Sequence, residues 1–144
     1  MRFQMEQTMS NRYDYYIAGP MRGHYDNNKQ MFAWVSRTLK SRGWSSFNPA
    51  DENDIDFKFS ECMRKDLAVI INDCSKIIVL PGWRSSVGAN AEVLVGLVCG
   101  KIIEEVILTY DDSTTLMTKD VTEELQFVLP FSNRTWSTSR VHGR

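Results

Sequence analysis

Apolar positions along the chain switch between two rhythms, and the switches mark its elements. Tyr13 to Ala18 (YDYYIA) is dense in aromatic and β-branched residues and stops at Gly19-Pro20, which predicts a strand running into a turn. From Asn27 to about Arg42 the apolar residues Met31, Trp34, Val35 and Leu39 recur at helical spacing, with Gly43 as the stop. Trp44 to Phe47 reads as a short second strand closed by Asn48-Pro49, with an acidic loop from Asp51 to Asp56 behind it. Ser60 is placed to cap a second helix that carries Met63, Leu67, Ile70 and Ile71 on one side. Lys76 to Leu80 is a continuous apolar run bounded by Pro81-Gly82, the signature of a central strand covered on both faces. The loop PGWRSSVG leads into a third helix, Asn90 to Cys99, ended by Gly100. Ile102 to Tyr110 holds a fourth strand, expected mainly in its second half (VILTY), and a further helix is predicted around Asp120 to Val128. Residues 1–12 read as a polar arm, 13–131 as one domain, and 132–144 as a polar tail.

Strand and helix alternate, so the predicted product is a parallel sheet with helices on both faces. The expected class is α/β, a flavodoxin- or Rossmann-like three-layer sandwich with four to five parallel strands. Such sheets bind ligands at the carboxyl ends of their strands, near the point where the strand order reverses. Two turns fall at such ends: Gly19 to Gly23 after the first strand and Pro81 to Ala89 after the third.

Composition narrows the range of partners. The 144 residues suit one domain with its own core, at 42% apolar, 24% charged and net charge −1. A near-neutral balance speaks against gripping polymeric nucleic acid, whereas a single nucleotide needs only one or two cations. The three cysteines (Cys62, Cys74, Cys99) form no CxxC or Cys/His cluster, which points to reduced thiols and no metal site. No apolar run approaches a membrane span, and MRFQMEQTMSNR lacks the apolar stretch of a signal peptide. A cytoplasmic protein with no membrane partner is therefore expected.

Glu92 is the sharpest chemical feature. It is the only charged residue between Arg84 and Lys101, set among small and apolar neighbours (SSVGANAEVLVGLVCG). A carboxylate in an apolar helix packed on a sheet is penalised by desolvation unless something interacts with it, and such acids often have altered acidity and a task. Alternatively, Glu92 lies on an exposed stripe and merely favours the helix N-terminus. Ser86 and Gly88 sit at the entry to that helix, where backbone N–H groups can approach an anion, although Ser86 also suits a plain N-cap. Arg22, just past a strand end, can clamp a phosphate or stand idle on the surface. Tyr16 can aim its hydroxyl at Glu92 or belong to the core. Asp66 lies between polar and apolar neighbours, where most such residues are solvated. Trp83 can stack on a base or cover the core. His24 and His142 have no identifiable partners.

In order, YIAGPMRG, RKDLAVIINDCSKIIVLPG and SSVGANAEVLVG resemble the nucleoside 2-deoxyribosyltransferase superfamily, closest in style to the deoxynucleoside 5′-monophosphate N-glycosidases and their small phage and bacterial relatives. The similarity covers roughly Tyr15 to Lys101. It implies that Glu92 is the nucleophile at the anomeric carbon, that Tyr16 orients it, and that Asp66 hydrogen-bonds the base or protonates it. Gly19, Arg22, Ser86 and Gly88 would surround the sugar phosphate and Trp83 the base. A neighbouring subunit would complete the site through a C-terminal residue, with Ser132 and Asn133 the candidates, so a homodimer or larger assembly is implied. No cofactor is implied. Carboxylate catalysis at an oxocarbenium-like centre agrees with this in physical terms.

Transferases acting on unphosphorylated nucleosides tend to carry an acid about six residues before the catalytic Glu. That position is Ser86 here, with Arg84 nearby, which favours a nucleotide hydrolase over base exchange on nucleosides. Pro20 replaces a hydroxyl-bearing residue, and Trp83-Arg84-Ser85 makes a bulkier loop than the resemblance would lead one to expect. A cytokinin-type riboside-monophosphate phosphoribohydrolase fits Pro81-Gly82 only loosely, since the second glycine and the GT pair are missing. A nucleotide-binding sensor without turnover is the reading from another class, and Tyr16, Asp66 and Glu92 together argue against it. Nothing in the loops favours flavin.

Overall fold

A computed structural model describes residues 11–52, 58–108 and 115–128. Strand β1 spans Tyr13–Ala18, and its alternation sends Tyr15 and Ile17 to one face and Tyr16 and Ala18 to the other. A 3-10 turn at Tyr25–Asn28 then leads into helix α1, Lys29–Ser41, which buries Phe32, Val35 and Leu39. Strand β2 is only Ser46–Phe47, because Trp44 and Ser45 precede the pairing with β1. The predicted acidic loop opens instead with a helical turn, α2, Pro49–Glu52.

Helix α3, Phe59–Asp73, starts one residue ahead of Ser60; Lys58 holds the N-cap position without a side-chain bond. Strand β3, Cys74–Val79, follows it directly. A 3-10 turn at Trp83–Ser85 precedes helix α4, Val87–Val98, which begins earlier than its apolar run suggested because Ser86 caps it. Strand β4 is Ile102–Ile107: it starts at the head of the predicted stretch and includes Val106 and Ile107 of the VILTY segment, whose Thr109 and Tyr110 lie outside the described residues. Its place is fixed by parallel pairing with β3, in register Lys76 to Ile102 and Val79 to Glu105. Strand β5, Met117–Asp120, has no counterpart in the sequence reading, and helix α5 follows at Thr122–Val128.

The five strands lie in the order β2-β1-β3-β4-β5. All neighbours pair in parallel except β5, which runs antiparallel to β4, so the sheet is mostly rather than wholly parallel. One apolar cluster (Phe32, Val35 and Leu39 with Tyr15, Ile17, Ile78 and Leu80) packs α1 on one face. The other cluster packs α3, α4 and α5 on the opposite face through Ile70, Val93, Leu97 and Leu125. The molecule is thus a three-layer α/β sandwich of the Rossmann-like kind.

The strand order locates the point at which sheets of this kind bind ligands. The chain leaves β1 outward to β2, then returns past β1 to β3, so the order reverses between β1 and β3. Their carboxyl ends approach closely there: Leu80 N–H donates to the Ala18 carbonyl at 2.9 Å. A Cβ on Gly19 would stand 2.8 Å from the Leu80 Cβ, so a bare α-carbon is what lets the two exits run side by side. Among the described residues no helix is long and apolar enough to cross a membrane.

Candidate functional site

Three polar side chains that the sequence scatters over 77 positions meet on the face covered by α3 and α4. Tyr16 is fully buried on β1, Asp66 is 4% exposed on α3, and Glu92 is 6% exposed on α4. The reading of Glu92 as part of an exposed stripe is thereby removed, and so is the solvated reading of Asp66. Tyr16 Oη donates to Glu92 Oε2 at 2.5 Å. The phenol ring is held for that contact by stacking on Phe47, with centroids 5.6 Å apart and planes 14° from parallel.

Burial sets the acid–base character of the group. Desolvation pushes the Glu92 carboxyl up from 4.5 to about 8; the Tyr16 hydrogen bond opposes that rise and the charge of Asp66 adds to it. The Tyr16 phenol is driven well above its ordinary value, first by burial and then by the charge of Glu92. Tyr16 therefore stays protonated and serves as a fixed donor. Glu92 exchanges a proton near neutral pH, and its ionised form is stabilised mainly by one hydrogen bond. A poorly solvated carboxylate of that kind is a competent nucleophile or base.

Helices α3 and α4 pack against each other near their N-terminal ends, beside the turn after β1. A Cβ on Gly88 would lie 3.4 Å from Met63 Sδ and 3.5 Å from Phe59 Cε1. Further along the same helices stand Asp66, two turns from Phe59, and Glu92, one turn from Gly88. Arg22 projects from the turn after β1 with its guanidinium carbon 5.2 Å from the centroid of the Phe59 ring. That turn is tied down by Asn28 Nδ2 donating to the Pro20 carbonyl at 2.9 Å, while Asp26, Asn27 and Asn28 all hold positive φ.

The loop from β3 to α4 is braced from two sides. Ser86 Oγ accepts from Ala89 N–H at 3.1 Å, the N-cap role the sequence allowed. Asn90 reaches back from α4 and donates to the carbonyls of Ser86 at 2.7 Å and Arg84 at 3.0 Å. Trp83 is 2% exposed and donates its indole N–H to Glu105 Oε2 at 2.8 Å. Arg84 donates to the same oxygen at 2.7 Å and lies 4.6 Å over the indole ring. Of its two predicted roles, Trp83 takes that of covering the core. Burial acts to raise the Glu105 carboxyl, but the bonds from Trp83 and Arg84 outweigh it and hold the group below the usual carboxylate range.

Tyr16, Gly19, Arg22, Asp66, Ser86, Gly88 and Glu92 therefore gather around the β1 and β3 exits. Ser132 and Asn133, offered as the residues that complete a neighbouring site, lie outside the described residues, as does His142; His24 is exposed on the first turn. Sequence reasoning missed Phe47, Phe59, Asn90 and Glu105. Only Phe59 carried a signal, as an aromatic residue opening a helix; the others gain their roles from partners in other elements or in a loop whose path the sequence does not show. Among the described residues no group of three or more His, Cys, Asp or Glu side chains is arranged to hold a metal.

A buried Glu–Tyr pair beside a second acid, at the reversal point of a mostly parallel sheet, defines a small α/β protein with a carboxylate-centred site. The chain belongs to the family described as a domain of unknown function, DUF4406, whose model matches residues 13–105. That span holds the turns after β1 and β3 together with Tyr16, Asp66 and Glu92. No curated protein matches the chain.

Proposed function

We propose that this protein hydrolyses the N-glycosidic bond of a (deoxy)nucleoside 5′-monophosphate, and that it belongs with the nucleoside 2-deoxyribosyltransferase-like enzymes it resembles. The observation that carries the reading is Glu92 itself: a carboxyl buried in an apolar helix, held by Tyr16, beside Asp66, at the ligand-binding edge of the sheet. A carboxyl placed so against its own solvation is what a nucleophilic carboxylate in a retaining glycosidase requires. Its ionised form attacks the anomeric carbon, the C–N bond electrons leave with the base, and Asp66 supplies or relays the proton that neutralises it. Water then attacks the same carbon and gives its proton to Asp66, releasing the sugar phosphate and freeing Glu92 as the carboxylate. Tyr16 keeps the reacting oxygen pair oriented throughout.

Arg22, Gly88 and the first turn of α4 would face the phosphate. Self-association fits helix α4, whose outer side leaves Val87 76% and Val98 58% exposed, so a second copy is the partner we favour. A substrate drawn from the nucleotide pool places the protein in the cytoplasm. Base exchange between nucleosides is the alternative enzyme reading, and a sensor without turnover the alternative from another class.

The test is a panel of deoxy- and ribonucleoside monophosphates and the matching nucleosides, with and without a second free base, followed by chromatography of released base. The expected result is base released from monophosphates and abolished in Glu92→Ala. Base exchange on nucleosides would move the reading to a transferase. No turnover on any member would remove the enzyme reading and leave the sensor.

A further inference from the structure

We infer that Phe59 is a positioning residue that holds Arg22 as a phosphate-reading arm, and so sets the preference of the site for 5′-monophosphates over nucleosides. The inference rests on the reading of the site as a nucleotide glycosidase and names what decides its substrate class.

Arg22 is exposed on the turn after β1, where a long charged side chain would ordinarily sample many rotamers. It does not hang free: its guanidinium carbon stands 5.2 Å from the centroid of the Phe59 ring. The edge of that ring, Cε1, is 3.5 Å from the point where a Gly88 side chain would begin. One aromatic ring thus has a cation against it and the first turn of α4 at its edge. Two electropositive features, a guanidinium and the first turn of a helix, are both set against the same ring. Among the described residues no carboxylate forms an ion pair with Arg22. Arg84, the other arginine near this loop, is committed to Glu105 at 2.7 Å. Phe59 itself is 42% exposed, so its ring is not kept there by the core alone.

Positive groups set on one ring, with no acidic partner among the described residues, suit an anion that reaches both, and a phosphate matches both the fork of Arg22 and backbone N–H donors. A neutral 5′-hydroxyl gains nothing from the arm. The Phe59 ring limits the freedom of Arg22 before substrate arrives, which lowers the ordering cost of binding. The rate of the chemical step, set at Glu92 one turn below, is not what Phe59 controls.

The experiment compares kcat and KM for a nucleoside monophosphate and its nucleoside in wild type, Phe59→Leu, Phe59→Tyr, Arg22→Ala and the Phe59→Leu/Arg22→Ala double variant. The monophosphate-to-nucleoside ratio of kcat/KM should fall roughly two- to fivefold in Phe59→Leu, the scale of an exposed cation–π contact. The loss should lie in KM, and Phe59→Tyr should restore it. In the Arg22→Ala background, Phe59→Leu should leave the ratio where it is. An unchanged ratio in Phe59→Leu, or the same fall with Arg22 already removed, would overturn the inference, since a merely structural Phe59 weakens both substrates alike. Should wild type release no base at all, the glycosidase reading fails separately. The same variants are then read by calorimetric binding of monophosphate and nucleoside to Glu92→Gln protein. Equal binding of the two ligands, or none, overturns the inference there.

Discussion

Replacing Glu92 by Gln removes the proton exchange from the site while keeping the side-chain shape, and the structure fixes what stability should then do. In the folded protein the carboxyl loses its proton only near pH 8, against 4.5 for an ordinary glutamate, because burial disfavours the charge. Below pH 4.5 the group is neutral in both folded and unfolded states and imposes no charge penalty. Above it, the unfolded chain ionises and the folded protein does not, so wild-type stability declines by about 1.4 kcal/mol per pH unit from this group. The decline stops near pH 8, where the folded carboxyl ionises too. The accumulated penalty is then about 3 kcal/mol at pH 7 and about 5 kcal/mol at pH 8 as an upper bound. Gln does not titrate and escapes it. It also exchanges the bond from Tyr16 to a neutral carboxyl for a bond to an amide, an offset of about 1 kcal/mol or less that does not vary with pH in this way. The decisive quantity is therefore the slope. Urea unfolding of both proteins, followed by tryptophan fluorescence from pH 4.5 to 8, should show Glu92→Gln gaining on wild type by several kcal/mol as pH rises. A difference that stays flat across this range would refute the argument that Glu92 is buried at the expense of its charge. A gain of this sign, paired with lost activity, is the mark of a site kept for function over stability.

The other expectations concern catalysis and packing. The proposed mechanism requires an ionised Glu92, so under it kcat/KM should climb with pH along a limb centred near pH 8. Tyr16→Phe removes the bond that favours the ionised form, so the limb should shift upward by about one unit. A limb that stays in place in Tyr16→Phe counts against Glu92 as the titrating group. At Gly96 of α4, an added Cβ would collide with Ile77 Cδ1, the end of a core side chain that must then shift, so Gly96→Ala should destabilise by about 1 kcal/mol despite the better helix propensity of Ala. Ile77→Val, which deletes the clashing methyl, should recover part of that loss in thermal unfolding. A Gly96→Ala protein that melts higher than wild type would show that α4 can move off the sheet.

How much of this was legible in the chain depended on whether the signal was local. Strand β1 matches its predicted span from Tyr13 to Ala18 because a short run of β-branched and aromatic residues ended by Gly-Pro has one local solution. The central strand declared itself through Ile77, Ile78, Val79 and Leu80, since burial on both faces leaves no polar position. The oddity of Glu92, one charge in an apolar helix, was visible without coordinates, and so was the capping capacity of Ser86. The rest waited on contacts between distant segments. Strand β4 begins at Ile102, ahead of the more apolar VILTY stretch and including its Val106 and Ile107, because register with β3, not local hydrophobicity, selects which residues pair. Strand β5 left no pattern because all four of its residues are exposed, and an edge strand with no buried face has no reason to alternate. Asp66 looks solvated in sequence and is buried in the fold, since only the packing of α3 against the sheet and α4 decides which side of the helix meets water. Trp83 became a brace when Glu105, 22 residues on, met its indole N–H. The 2.5 Å bond from Tyr16 to Glu92 joins residues 76 apart; residue types made that pairing possible, and the strand order that sets β1 beside β3 made it happen.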